Sequence, residues 1–107
     1  MKGLPGGMQQ FLRQANQLQT RMQKLQAELE EREYTASSGG GAVQIKVNGK
    51  YQIVNLTISP EVMKSQDAEM LQDLIMTATN EALKTVRETS QKEIGELTGG
   101  MAMPGLF

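Results

Sequence analysis

The sequence of 107 residues predicts an α+β protein of the order α-β-β-β-α, with long N- and C-terminal helices flanking a three-stranded antiparallel sheet. Apolar residues recur at helical spacing towards both ends of the chain, whereas a central stretch alternates apolar and polar residues as a half-buried strand does. The length accommodates one domain, residues 1–107. Because so short a chain buries a modest core and a three-stranded sheet has two open edges that invite pairing with another copy, we expect an oligomer.

The first helix is predicted from about Met8 to Arg32. Residues 1–7, MKGLPGG, precede it and are predicted to form a flexible arm because they are rich in Gly and Pro. The apolar positions of the helix are spaced alternately by three and four residues, which is a heptad seam: Met8, Phe11, Ala15, Leu18, Met22, Leu25 and Leu29. The seam packs either on the protein's own sheet and second helix or on another chain, and the thin core favours the intersubunit role.

The first two strands lie on either side of a glycine run. Residues 33–36 include β-favouring side chains, and Gly39-Gly40-Gly41 are predicted to link this strand to the next. Val43, Ile45 and Val47 alternate with polar residues, which indicates a strand with one buried face.

A hairpin is predicted to follow, since Asn48-Gly49 is typical of a two-residue type I′ turn. Such a turn pairs Val47 with Lys50 and Val43 with Val54, and the third strand runs over residues 51–59. In this register Val54, Leu56 and Ile58 share the buried face of the second strand.

The second helix is predicted to begin at a cap, either Ser65 or Asp67, and to end at Gly99-Gly100. Pro60 ends the third strand before it, because proline cannot donate a hydrogen bond to a sheet. The apolar face of the helix comprises Leu71, Leu74, Ile75, Ala78, Ala82 and Val86. Residues 99–107 form a glycine-rich apolar tail.

The glycines do not form a phosphate-binding loop. Gly49-Lys50 is preceded five positions earlier by Gln44 rather than Gly, is followed by Tyr51 rather than Ser or Thr, and precedes a strand rather than a helix. Without His or Cys, the serines have no usual activating base and zinc or thiolate chemistry is absent. Carboxylates on the polar helix faces are expected to be solvated or to pair along the helix, as Glu28 with Arg32. An enzyme, a cofactor and a small-molecule substrate are therefore not expected.

No run of 18 apolar residues and no signal peptide is present, so we expect a cytoplasmic protein with no membrane partner. The net charge of −1 conceals an uneven distribution, because residues 1–27 contain four basic residues and no acid whereas residues 67–107 have a net charge of −4. Arg13, Arg21 and Lys24 lie off the apolar seam among glutamines. Such a face is either an ordinary solvated helix surface or one that meets phosphates and base edges.

Four segments together resemble the YbaB/EbfC nucleoid-associated proteins over nearly the whole chain: GGGAVQIKVNGKYQIVNLTISPEV, the Gln- and Met-rich first helix, EMLQDLIMTATNEALKTV and GELTGGMAMPGLF. The resemblance implies a small bacterial or organellar homodimer whose helices project from a joined sheet and hold double-stranded DNA in the nucleoid.

Charge and helix position then select the candidate DNA-binding residues Arg13, Arg21, Lys24, Lys84, Arg87 and Lys92. The candidate dimer and core residues are Leu18, Met22, Leu25, Val43, Ile45, Val47, Leu56, Ile58, Leu74 and Ile75. Weak sequence specificity is expected. The alternative is a coiled-coil scaffold or prefoldin-like holdase, which would use the methionine-rich surface on protein partners.

Overall fold

A sheet of three antiparallel strands in the order β1-β2-β3 forms the centre of the computed structural model, which describes residues 6–99. The elements are α1 (Gly6–Glu31), β1 (Glu33–Ser38), β2 (Val43–Asn48), β3 (Ile53–Ile58), α2 (Pro60–Ser65) and α3 (Ala68–Leu97). The α+β architecture and the order of the long helices and strands are as the sequence predicted. Helix α1 begins within the predicted arm; residues 1–5 and the tail from residue 100 lie outside the described residues.

The core lies between β2 and α3. Val43, Ile45 and Val47 are at most 1% exposed. They pack against a stripe of small residues on α3, namely Ala78, Ala82 and Val86. The spacing of four residues places that stripe on one face, and its small side chains let the helix approach the sheet closely.

The glycine run connects β1 to β2, as predicted. Gly39, Gly40 and Gly41 have φ angles of 61°, 68° and 95°, in the left-handed region that favours glycine. A Cβ on Gly39 would also lie 2.9 Å from Leu74 Cδ2. These glycines therefore serve the turn and the packing of α3 over it.

The predicted register of the β2–β3 hairpin is wrong by four residues. Val43 pairs with Ile58 and Ile45 with Leu56, not Val43 with Val54. Because the shift is an even number of residues, Leu56 and Ile58 still lie on the same sheet face as the buried side chains of β2. A bulge at Lys46/Val47 places Ile53, and not Val54, opposite Val47.

The cause of the register error is the loop, which spans residues 49–52 instead of two residues. The side-chain oxygen of Asn48 accepts hydrogen bonds from the backbone N–H groups of Lys50 at 2.8 Å and Gln52 at 3.1 Å. Tyr51 adopts a left-handed conformation with φ of 64°. Asn48 thus closes a wider turn through its side chain rather than taking a central place in a type I′ turn.

A short helix, α2, follows β3 directly, at a position where the sequence predicted only the end of the strand. Ser59 caps it by accepting a hydrogen bond from the Val62 N–H at 3.4 Å, and Pro60 occupies the first turn. Asp67 caps α3, accepting from the Met70 N–H at 3.0 Å. The Ser-Pro-Glu sequence at 59–61 was thus a helix start as well as a strand end.

Helix α1 makes the molecule elongated. The extents are 77 × 24 × 17 Å and the radius of gyration is 21.1 Å, against about 13 Å for a compact domain of this length. Leu29 is the buried residue of α1, whereas every residue from 7 to 17 is exposed. The helix therefore joins the rest of the protein at its C-terminal end and projects from it.

Candidate nucleic-acid interface

The projecting helix presents a continuous polar face opposite its heptad seam. At 100° per residue, Arg13 and Lys24 lie about 20° apart around the axis and on the far side from the seam, with Arg21 at the flank. All three side chains are exposed. Uncharged polar residues complete what we term the basic face, which consists of Gln9, Arg13, Asn16, Gln17, Thr20, Arg21 and Lys24.

The basic face contains no carboxylate. The first acidic residue of α1 is Glu28, one turn beyond Lys24. Within residues 6–99, the ion pairs are Arg32 with Glu93 and Lys46 with Glu33, so neither includes a basic residue of this face. The positive charges therefore remain available to an external anion.

The basic residues of α3 have different surroundings. Lys84, Arg87 and Lys92 are exposed. Lys84 and Lys92, however, each lie four residues from Glu88 on the same side of α3. Opposite charges at this spacing face each other along a helix and partly cancel, so the field of α3 is weaker towards a phosphate backbone.

The ten candidate dimer and core residues fall into three groups. Val43, Ile45 and Val47 are buried, and Ile58, Leu74 and Ile75 pack around them with partial exposure. Leu18, Met22 and Leu25 are half-buried on the α1 seam. Leu56 is 42% exposed on β3.

A large apolar surface remains uncovered on β3 and α1. Ile53, Val54 and Leu56 are each more than 40% exposed along the edge strand, and Phe11 on α1 is 62% exposed. Exposed apolar side chains that lie close together along one element are typical of interaction surfaces. Both regions are therefore candidate interfaces.

The base of α1 is held by contacts that the sequence did not reveal. Arg32 is the one residue between α1 and β1, and its guanidinium donates two hydrogen bonds to the Glu93 carboxylate on α3, with Nη2 at 2.9 Å from Oε1. These hydrogen bonds raise the pKa of Arg32 and lower the pKa of Glu93. The suggested pairing of Arg32 with Glu28 along the helix is not what the structure shows, because Arg32 lies beyond the end of α1.

Gly49 completes the base of α1. A Cβ at this position would lie 1.7 Å from the carbonyl oxygen of Leu29. Gly49 is therefore required by the close approach of the β2–β3 loop to α1, and not by a positive φ, which it does not have. The Asn-Gly signal identified a turn, but neither it nor the isolated Arg32 could indicate which distant segment each contacts.

Over the described part of the chain, no cluster of three or more His, Cys, Asp or Glu residues could hold a metal ion. No helix among residues 6–99 is both long and apolar enough to cross a membrane.

Comparisons with known proteins identify the family of this chain. The sequence profile of the YbaB/EbfC DNA-binding family matches residues 4–101. The chain is 51% identical over 107 residues to a nucleoid-associated protein of Clostridium novyi, covering 98% of this chain and 94% of that protein. It is 49% identical over 111 residues to a nucleoid-associated protein of Alkaliphilus metalliredigens, covering 99% and 97% of the two chains.

The fold is also similar to a solved structure. The crystal structure of an uncharacterized protein from Helicobacter pylori superposes with a TM-score of 0.70 at 23% sequence identity, covering 90% of this chain and 99% of that one. At this identity the similarity concerns the fold alone.

Proposed function

This chain belongs to the YbaB/EbfC DNA-binding family, and from that premise we propose that it binds double-stranded DNA as a homodimer through the basic face of α1, in the bacterial nucleoid and with weak sequence specificity. The observation that supports this assignment most directly is the charge of α1. Its residues 6–27 contain Arg13, Arg21 and Lys24 and no acid, although the protein as a whole has a net charge of −1.

The geometry of the basic face suits a duplex. An α-helix fits the major groove of B-DNA, which is about 12 Å wide. Arg13 and Arg21 are separated by about 12 Å along the helix axis, so they reach different phosphates. Gln17 and Asn16 between them donate and accept hydrogen bonds and do not repel the backbone. Contacts made mainly to phosphate groups fix the position of the protein on the duplex but carry little sequence information.

Lys84, Arg87 and Lys92 of α3 are proposed as a second, weaker set of contacts. Their exposure permits it, but Glu88, four residues from both Lys84 and Lys92, reduces the attraction of these two lysines for DNA. A contribution from both helices is compatible with a protein whose pI is about 5.4, provided that the basic face of α1 dominates.

The homodimer is supported by the uncovered apolar surface. Strand β3 lies at the edge of the sheet, and its six residues include neither Lys nor Pro to discourage pairing. A second copy that pairs along β3 would cover Ile53, Val54 and Leu56. The two-fold symmetry of such a dimer presents two copies of the basic face and doubles each phosphate contact.

A salt titration of binding to a short duplex tests this function. If the dimer neutralises about six phosphates, log K falls against log salt concentration with a slope of roughly −5. The double variant Arg21→Glu with Lys24→Glu is expected to weaken binding strongly while the mass in solution stays that of a dimer. Absence of binding by the unaltered protein at low salt contradicts the proposed function.

The exposed methionines favour one second candidate, a holdase. Met63 and Met76 are each 56% exposed, and flexible thioether side chains adapt to varied partners. Suppression of the aggregation of an unfolded client, together with no shift of a DNA duplex, would support the holdase over DNA binding.

A further inference from the structure

The buried residue of α1 and the side-chain hydrogen bonds beside it lie at the base of this helix. Leu29 is 6% exposed and is followed three residues later by Arg32, the single residue that connects α1 to β1. Gly49 lies against the Leu29 carbonyl, and Arg32 bonds to Glu93. We refer to Leu29, Arg32, Gly49 and Glu93 as the clamp.

Two properties of the clamp fix the angle between α1 and the rest of the protein, and not only the distance between them. A guanidinium that donates two parallel hydrogen bonds to one carboxylate holds the two planar groups in a defined relative orientation. The loop backbone at Gly49 meets the carbonyl of Leu29 without any intervening side chain, so the contact has no flexible element. α1 is thus fixed at its base from both α3 and the β2–β3 loop.

The length of α1 amplifies any change at its base. Arg13 lies about 24 Å from Leu29 along the helix. A rotation of about 10° at the base therefore moves Arg13 by about 4 Å, which exceeds the length of about 3 Å of a hydrogen bond to a phosphate oxygen. Small changes in the clamp are sufficient to break contacts made by the basic face.

We propose that Arg32 and Glu93 are positioning residues for DNA binding, which act with Gly49 and Leu29 to set the angle at which α1 presents its basic face. This inference rests on the proposed function, because it concerns the same surface. It adds that two residues remote from the phosphates, one of them acidic, are required for affinity.

The variant Glu93→Gln gives the clearest test because electrostatics and positioning act in opposite directions. Removal of a negative charge from the protein by itself strengthens attraction to DNA. Loss of the oriented pair is expected instead to weaken binding to a short duplex by roughly threefold or more. The matched control is Glu33→Gln, which removes the same charge from the pair with Lys46, where the N–O distance is 3.6 Å; its affinity is expected to stay the same or rise.

Two further variants separate positioning from charge. The double variant Arg32→Glu with Glu93→Arg reverses the ion pair, and it is expected to recover most of the affinity for DNA that Glu93→Gln loses. Gly49→Ala changes no charge, but the added Cβ must displace the base of α1, and it is expected to weaken DNA binding as Glu93→Gln does. Circular dichroism and the mass in solution establish that each variant remains folded and assembled.

A distance measurement tests the clamp without DNA. The sequence contains no Cys, so spin labels at Gln14→Cys on α1 and Asn80→Cys on α3 are unique, and dilution with unlabelled protein limits the signal to one chain. The distance distribution is expected to be narrow in the parent and broader with Glu93→Gln. Equal widths, or binding by Glu93→Gln as tight as the parent's, overturn the proposal. Failure of the parent to bind DNA would contradict the proposed function instead, while the width would still show whether the clamp fixes α1.

Discussion

The two long helices, α1 and α3, have similar lengths and opposite roles. α3 buries Ala78, Ala82 and Val86 against the sheet, whereas α1 buries Leu29 at its base and is exposed over residues 7–17. α3 intersperses its basic residues with carboxylates, and the basic face of α1 contains none. One helix therefore stabilises the fold, and the other, held by the clamp, is available for a partner.

The most pronounced difference is expected from placing the same substitution in each helix. Ala82 is 0% exposed against β2, so Ala82→Leu overpacks the core and is expected to reduce the free energy of unfolding by about 3 kcal/mol. Ala15→Leu, on the exposed seam of α1, is expected to change it by less than about 0.5 kcal/mol. Urea denaturation measures both values. Equal losses would show that the α1 seam belongs to the same core.

A second comparison concerns DNA affinity. Lys84→Glu with Arg87→Glu on α3 changes the charge as much as Arg21→Glu with Lys24→Glu on α1. Glu88 lies four residues from Lys84 and next to Arg87 in sequence, so it partly neutralises the field around this α3 pair and the loss of affinity is expected to be clearly smaller. The double variant Arg21→Glu with Lys24→Glu is expected to make the slope of log K against log salt concentration shallower by about 2 for each chain in contact with DNA. Filter binding at several salt concentrations distinguishes the helices, and a greater effect from α3 would reverse the proposed order.

The smallest effect is expected from the ion pair that joins Arg32, at the base of α1, to Glu93 on α3. Hydrogen bonds from Arg32 lower the pKa of the Glu93 carboxyl from its ordinary value of 4.5, and Lys92 contributes in the same direction. A carboxyl whose pKa is lower in the folded state contributes stability above its unfolded pKa and loses that contribution as the pH falls below it. The difference in unfolding free energy between the parent and Glu93→Gln is therefore expected to be constant above about pH 5 and to shrink below pH 4.5. A difference that does not vary with pH would contradict the pairing.

Local patterns predicted much of this fold. The heptad spacing placed α1, the alternation of Val43, Ile45 and Val47 identified the buried face of β2, and the spacing of the α3 stripe identified the helix that covers it. These signals are local because helix and strand periodicity is expressed over neighbouring residues. The basic face could be predicted for the same reason, since the position of a residue around a helix follows from its residue number.

The errors and omissions concern contacts between distant segments. Asn48-Gly49 indicated a turn, but the side-chain hydrogen bonds of Asn48 set its length and thus the register. Ser59 and Pro60 start a helix as well as end a strand, and the strand end alone was predicted. The exposure of β3 could not be predicted, because an alternating strand has the same pattern whether a helix covers its apolar face or leaves it open.

Local composition and short-range periodicity thus indicated two long helices, three strands and an acid-free basic surface, because each depends on residues that are close together in the sequence. The pairing of Arg32 with Glu93, the contact of Gly49 with Leu29 and the projection of α1 depend instead on how complete elements pack. Arg32 and Glu93 are 61 residues apart in sequence, and either charge by itself is compatible with solvent. The folded structure brings them together at the base of α1.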